Sequence, residues 1–198
     1  LMVHEKVKNA FIAAFIKHTK AFYGENAAHS KDYARIVNEK HFNRLLSYLE
    51  DAKKQGGTIE TGGEVNVFEN FIAPTLISGL TKESLLLQEE IFGPILPLKT
   101  FTNLDQVIAY INAGEKPLAL YLYSKKAANI KKVLKNTRAG SSCINHNVVQ
   151  YSNHHLPFGG SNNSGIGKAH GIYGFQEFSN MRSVLKQFSF GAVELLMP

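Results

Sequence analysis

Long apolar runs, cysteine pairs, repeats and low-complexity tracts are all missing from this chain, and each absence removes a class of protein. No stretch approaches the roughly 20 apolar residues that a helix needs to cross a bilayer. The segment from Phe188 to Pro198 is apolar but short, and Glu194 interrupts it. The single cysteine, Cys143, excludes an intrachain disulfide framework and makes a reducing, cytoplasmic setting the expectation. Phosphate-binding loops are lacking too. The run Gly159 to Lys168 has no Gly-Lys-Ser/Thr ending, and Gly165-Ile166-Gly167 lacks the third glycine of a dinucleotide fingerprint. Its glycines are read instead as places where the backbone passes close to its neighbours. His146, His154 and His155 match no His-x-x-x-His ligand pair and have no cysteine cluster beside them, so no metal site is expected.

Acidic residues are outnumbered, giving a net charge of +6. The basic residues are mostly spread along predicted helices, for example at Lys125, Lys126, Lys131, Lys132, Lys135 and Arg138. A solvated helix face explains that spacing. Nucleic-acid binding would want aromatic or arginine platforms beside the charge, and none clusters there.

What is present is enough for a core: 198 residues, 44% of them hydrophobic. Val3, Val7, Phe11, Phe15 and Phe22 recur at helical spacing, predicting a helix from Val3 to Phe22 that Gly24 stops. Phe42, Leu45, Leu46 and Leu49 predict a second helix over Lys40 to Gln55, capped by Asn38. Thr58 to Val65, broken by Gly62-Gly63, and Phe71 to Ile77 read as strands, with Pro74 marking an edge or bulge. Beyond them, Ile95–Phe101 reads as a strand, Leu104–Ala113 as a helix capped by Asn103, and Leu118–Tyr123 as a strand covered on both faces. Ala127–Thr137 is a predicted helix and Ser142–Val149 a predicted strand. This β-α-β-α-β order predicts an α/β fold with a parallel open sheet flanked by helices. A polar, Gly-rich loop follows, then a short helix near Tyr173–Phe178 and a strand-like Ser183–Gln187. That tail is too poor in apolar residues for a core of its own. Two regions are expected: residues 1–160, and a tail 161–198 that packs on something else.

Two stretches carry chemistry. In Glu89-Glu90-Ile91-Phe92-Gly93-Pro94, adjacent carboxylates seldom point the same way, so spacing alone suggests a loop with one exposed acid and one capping a turn. Leu156-Pro157-Phe158-Gly159-Gly160 opens the Gly-rich loop. Cys143, beside Ile144 in a predicted strand, looks like a small buried apolar residue, because a nucleophilic cysteine needs an exposed, electropositive setting.

Together these motifs resemble the C-terminal part of the aldehyde dehydrogenase family. Phe22-Tyr23-Gly24-Glu25, Asp32 to Asn38, His41-Phe42 and Lys116 to Tyr121 extend the resemblance along the chain, toward the dimeric fatty-aldehyde branch. The resemblance implies an oxidation of aldehydes to carboxylic acids with NAD or NADP. A cysteine thiolate attacks the aldehyde, a backbone N–H and an asparagine amide hold the oxyanion, hydride leaves for the nicotinamide, and water hydrolyses the thioester. Glu90 matches the glutamate that binds the two nicotinamide-ribose hydroxyls, a task suited to an acceptor-only carboxylate. Phe92 matches the aromatic beside the nicotinamide, and Phe158 a residue lining the active-site mouth. The chain departs from the family between Asn145 and His155, where the wall of the substrate entrance would lie. The family's Asn-x-Gly-Gln-x-Cys nucleophile motif and its general-base glutamate have no match here, so no catalytic residue is assigned. Together with a first residue that is Leu1, this predicts a fragment, inactive alone and lacking the main coenzyme domain. The resemblance further implies a homodimer joined through the C-terminal strand. A non-catalytic dimerisation module derived from the same enzyme is the alternative.

Overall fold

A computed structural model describes residues 1–186. The described chain forms two compact units that divide between Val107 and Ile108.

The first unit is built on a four-stranded mixed sheet. Its strands are β1 (Met2–His4), β2 (Thr58–Thr61), β5 (Thr75–Ser78) and β6 (Ile95–Phe101), in the order β1-β6-β5-β2. β1 and β5 run parallel to β6, while β2 pairs antiparallel with β5. β5 is buried along its whole length. Pro74 lies just before it, where its missing N–H takes no bond from the ladder. A small antiparallel pair, β3 (Val65–Asn66) and β4 (Phe71–Ile72), precedes β5.

Helix α2 (Glu39–Lys54) carries the core. Asn38 caps it, its side chain accepting a 2.9 Å bond from the His41 N–H. Phe42, Leu45, Tyr48, Leu49 and Ala52 are buried at helical spacing, against Ile72, Ile77, Leu86 and Ile95. Each buried Phe, Leu or Ile among them contributes about 1.5–3 kcal/mol on burial. The other side of the sheet meets α1 (Lys8–Tyr23), where Phe11, Ile12 and Phe15 pack on Val3, Leu76 and Leu98. Lys8 of α1 reaches Glu60 of β2 at 2.7 Å, and Glu60 also accepts from the Ser78 hydroxyl. The Lys8 bond, then the Ser78 bond, hold the Glu60 carboxyl below its ordinary range.

The second unit holds β7 (Ala119–Leu122) and β8 (Ser141–Ile144), paired parallel through α5 (Ala127–Asn136). Helix α4 (Leu104–Ala113) contains the division between the units. Two short helices follow, α6 (Val149–Ser152) and α7 (Gly171–Glu177).

The α/β class with a helix-flanked sheet is present, and the differences from expectation are local. Val3 lies in β1 rather than in the first helix, because the bonds to β6 win over a spacing that Val3 and Val7 happen to share. The sheet of the first unit is mixed rather than wholly parallel. The Leu118–Tyr123 run is not covered on both faces: Tyr121 and Tyr123 are exposed. β8 ends at Ile144, where Asn145 turns to a φ of 56°. Ser183 to Lys186 show no strand pairing, and the remainder of the expected C-terminal strand, from Gln187 on, lies outside the described residues.

Candidate functional site

The Glu90 loop joins α3 (Leu85–Gln88) to β6. Asp51 of α2 fixes its start, accepting from the Leu85 N–H at 2.9 Å and from the Gln55 amide at 2.8 Å. Those bonds, the Leu85 one first, lower the Asp51 carboxyl's pKa. Arg44 fixes the middle. Its guanidinium donates to the backbone oxygens of Glu90 at 3.1 Å and Ile91 at 2.8 Å, while lying 5.2 Å from the centre of the Tyr48 ring. Gly93 fixes the end: a Cβ there would fall 2.6 Å from both methyl groups of Leu45, which is fully buried and cannot move aside. The Pro94 oxygen then accepts from the Thr75 N–H at 2.8 Å.

The backbone is held and the Glu90 and Phe92 side chains point away from these anchors into solvent. Glu90 is exposed, and its carboxylate makes no hydrogen bond or ion pair among the described residues. Phe92 is 79% exposed at a φ of 41°, uncommon for a bulky residue. An acceptor-only group with both oxygens available, on a loop anchored only through its backbone, fits a ligand bearing a vicinal diol.

In the second unit, Phe158 and Ala169 exchange two backbone bonds, at 3.1 and 2.7 Å. Lys168 Nζ donates to the oxygens of Gly159 at 2.6 Å and Gly160 at 3.0 Å, pinning the start of the Gly-rich loop. Side chains are excluded here. A Cβ on Gly160 would fall 2.0 Å from the Ser164 oxygen, and one on Gly140 2.4 Å from the Gly159 oxygen. The Phe158 ring is half-buried. It stacks on His170 with centroids 5.4 Å apart and meets Tyr151 edge-on at 5.0 Å.

The family model described as the aldehyde dehydrogenase family matches residues 1–184. The chain belongs to the aldehyde dehydrogenase family. It is 42% identical over 185 residues to a 4,4'-diaponeurosporen-aldehyde dehydrogenase of Staphylococcus aureus, covering 93% of this chain and 40% of that protein. It is 38% identical over 185 residues to the dimeric NADP-preferring aldehyde dehydrogenase of Bos taurus, covering 93% of this chain and 75% of that sequence. The solved structure of a substrate-bound state of Staphylococcus aureus AldH superposes with a TM-score of 0.86 at 39% identity, over 98% of this chain and 44% of that one. The chain thus spans about 40% of the length of its Staphylococcus aureus relative.

Within this aldehyde dehydrogenase chain, Glu90 and Phe92 share one loop of the first unit, and Phe158 and Asn145 both belong to the second. Asn145 has a local task. Its Oδ1 accepts from the Ser124 N–H at 2.8 Å and its Nδ2 donates to the Ser124 oxygen at 3.1 Å, closing the end of β7 onto β8. Phe158's ring partners are Tyr151 and His170; Asn145 is not one of them. Cys143 sits in β8 and is half-buried rather than buried, because the β7–β8 pair is only partly covered. Among the described residues, no three His, Cys, Asp or Glu side chains are grouped to hold a metal ion.

A cleft of about 390 Å³ is lined by Asn112, Lys116, Lys135 and Arg138 among others, at the C-terminal ends of α4 and α5. Cations there complement helix dipoles, which explains them without a ligand.

Sequence reasoning missed the supporting residues Arg44, Lys168, Tyr151 and His170. Arg44 lies 46 residues before Glu90, and nothing in its neighbours announces the contact. Lys168 and His170 flank Ala169, whose pairing with Phe158 only the fold reveals.

Proposed function

We propose that this chain supplies the coenzyme-ribose clamp and part of the substrate pocket of an NAD(P)-dependent aldehyde dehydrogenase that oxidises aldehydes to carboxylic acids. The free Glu90 carboxylate on its anchored loop is the observation that carries the reading. Glu90 accepts from the two hydroxyls of the nicotinamide ribose, with Phe92 offering an apolar face beside the ring. The nicotinamide, when bound, supplies the hydride acceptor. Phe158 lines the pocket mouth, its backbone held by the two bonds to Ala169, and Asn145 forms wall rather than a recognition group, since both ends of its amide are engaged by Ser124.

Neither nucleophile nor general base is assigned to this chain. Cys143, half-buried within a strand, has no base within hydrogen-bond reach among the described residues and lacks the setting that activates a thiol. The 198-residue chain alone is therefore expected to give no aldehyde-dependent NAD(P)H. Turnover by that chain, lost in Cys143→Ala, would refute this division of labour. In the whole enzyme, meaning this chain joined to a nucleophile-bearing part, Glu90→Gln slows hydride transfer in a single turnover by roughly tenfold or more, through poorer placement of the coenzyme. An unchanged rate removes the role given to Glu90. The naming of relatives as dimeric supports self-association, and a reducing cytoplasmic setting fits the single cysteine.

A further inference from the structure

The ring cluster around Phe158 has a member that the proposed function does not use. His170 stacks on Phe158 with 19° between the planes and meets Tyr151 at 5.5 Å and His154 at 5.3 Å edge-on. Two features of this residue are unfavourable. Its Nδ1 is buried without a hydrogen-bond partner, which forfeits the solvation of a polar atom. Its backbone sits at φ 76° and ψ 134°, a region that L side chains rarely occupy. Such strain persists only where the surroundings over-determine it, and it concentrates at sites where geometry serves function.

The geometry shows what those costs secure. Phe158's backbone is fixed by the two bonds to Ala169, but a phenyl ring still has two side-chain torsions to choose. His170 follows Ala169 directly and lays its imidazole on one face of that ring. Tyr151 closes another side, 5.0 Å away at 82°. Between them they restrict where the ring can swing.

We propose that His170 is a positioning residue that fixes the Phe158 ring and thereby sets which aldehydes the pocket accepts. The proposal rests on the reading that Phe158 lines that pocket. His170 acts through Phe158 and performs no proton transfer.

The test has two arms. In the 198-residue chain with labelled phenylalanine, the Phe158 ring resonances are shifted upfield by the stacked imidazole. His170→Ala abolishes that shift and His170→Phe, which keeps a ring, restores it. Should His170→Ala fail to fold, His170→Leu, which fills the space without a ring, takes its place. Unchanged Phe158 resonances in the folded variant overturn the proposal. In the whole enzyme, His170→Ala raises the aldehyde KM by roughly tenfold while kcat stays within about twofold, and His170→Phe returns KM toward the starting value. A KM that responds to Phe158→Ala but not to His170→Ala overturns the positioning role alone. A KM indifferent to both overturns the pocket reading of Phe158, and with it the selectivity assigned to His170.

Discussion

The Glu90 loop and the Phe158 loop are held by opposite means. The first is fixed by a buried core beneath it: Leu45 under Gly93, Arg44 on two carbonyls, Asp51 at the preceding turn. The second is fixed from above by its own chain, through one lysine and a stack of rings. Burial differs accordingly. Among the described residues, Val133 is the one buried hydrophobic side chain of the second unit, whereas α2 alone contributes Phe42, Leu45, Tyr48, Leu49 and Ala52 to the first. A carboxylate clamp needs only a rigid backbone, so a core can stand behind it while the side chain stays in water. A ring lining a pocket must itself be held, and that requires neighbours at the surface.

The strongest way to break this contrast is to hollow the first unit. Leu45→Ala removes a fully buried side chain and is expected to destabilise that unit by about 2–5 kcal/mol. Leu134→Ala, at a position 42% exposed in the second unit, is expected to cost under about 0.5 kcal/mol. Denaturant unfolding followed by residue-resolved exchange reads both. Equal costs would show that the units do not differ in how they are supported.

The two anchors come next in size. Lys168→Met releases the Gly159 and Gly160 oxygens and is expected to speed amide exchange across the Gly-rich loop, at a cost of about 1 kcal/mol. Arg44→Lys is expected to loosen the Glu90 loop by a similar amount, since one ammonium does not reproduce the planar fork on two oxygens. Each change should leave the other loop's exchange untouched.

The smallest effect is that of acid, and it should fall on one unit. Asp51, Glu60 and Glu83 have depressed carboxyl pKa values, and all three belong to the first unit. A carboxyl depressed by folding contributes stability above its unfolded pKa, and that contribution is lost as the pH falls through the folded value. Below about pH 4, the first unit should lose stability relative to the second. Asp51→Asn should flatten the slope in that window, as measured by unfolding midpoints across the acid range. A parallel decline of both units would contradict it.

Much of the architecture was legible because local signals agreed. The Asn38 cap, the stripe from Phe42 to Leu49 and the Gly56-Gly57 stop define α2 to within a residue or so, and Ile95–Phe101 emerged as a strand with the same bounds. β1 was not legible. Three residues before a helix carry no period of their own, and only the facing strand β6 makes them a strand. The same division runs through the two loops: Glu90, Phe92 and Phe158 stand in short contiguous motifs, while the contacts of Arg44, Tyr151 and His170 have no local pattern beside them.

By itself the sequence determined the buried face and bounds of α2, the extent of β6, and which motif holds an acid beside an aromatic, since periodicity, capping and turn chemistry are local. Only tertiary structure decided that the Glu90 carboxylate has no partner among the described residues, over a clamped backbone, and that an imidazole lies against Phe158. Those depend on residues brought together by burial of α2 against its sheet and by the bridge from Phe158 to Ala169, and no local pattern encodes such meetings.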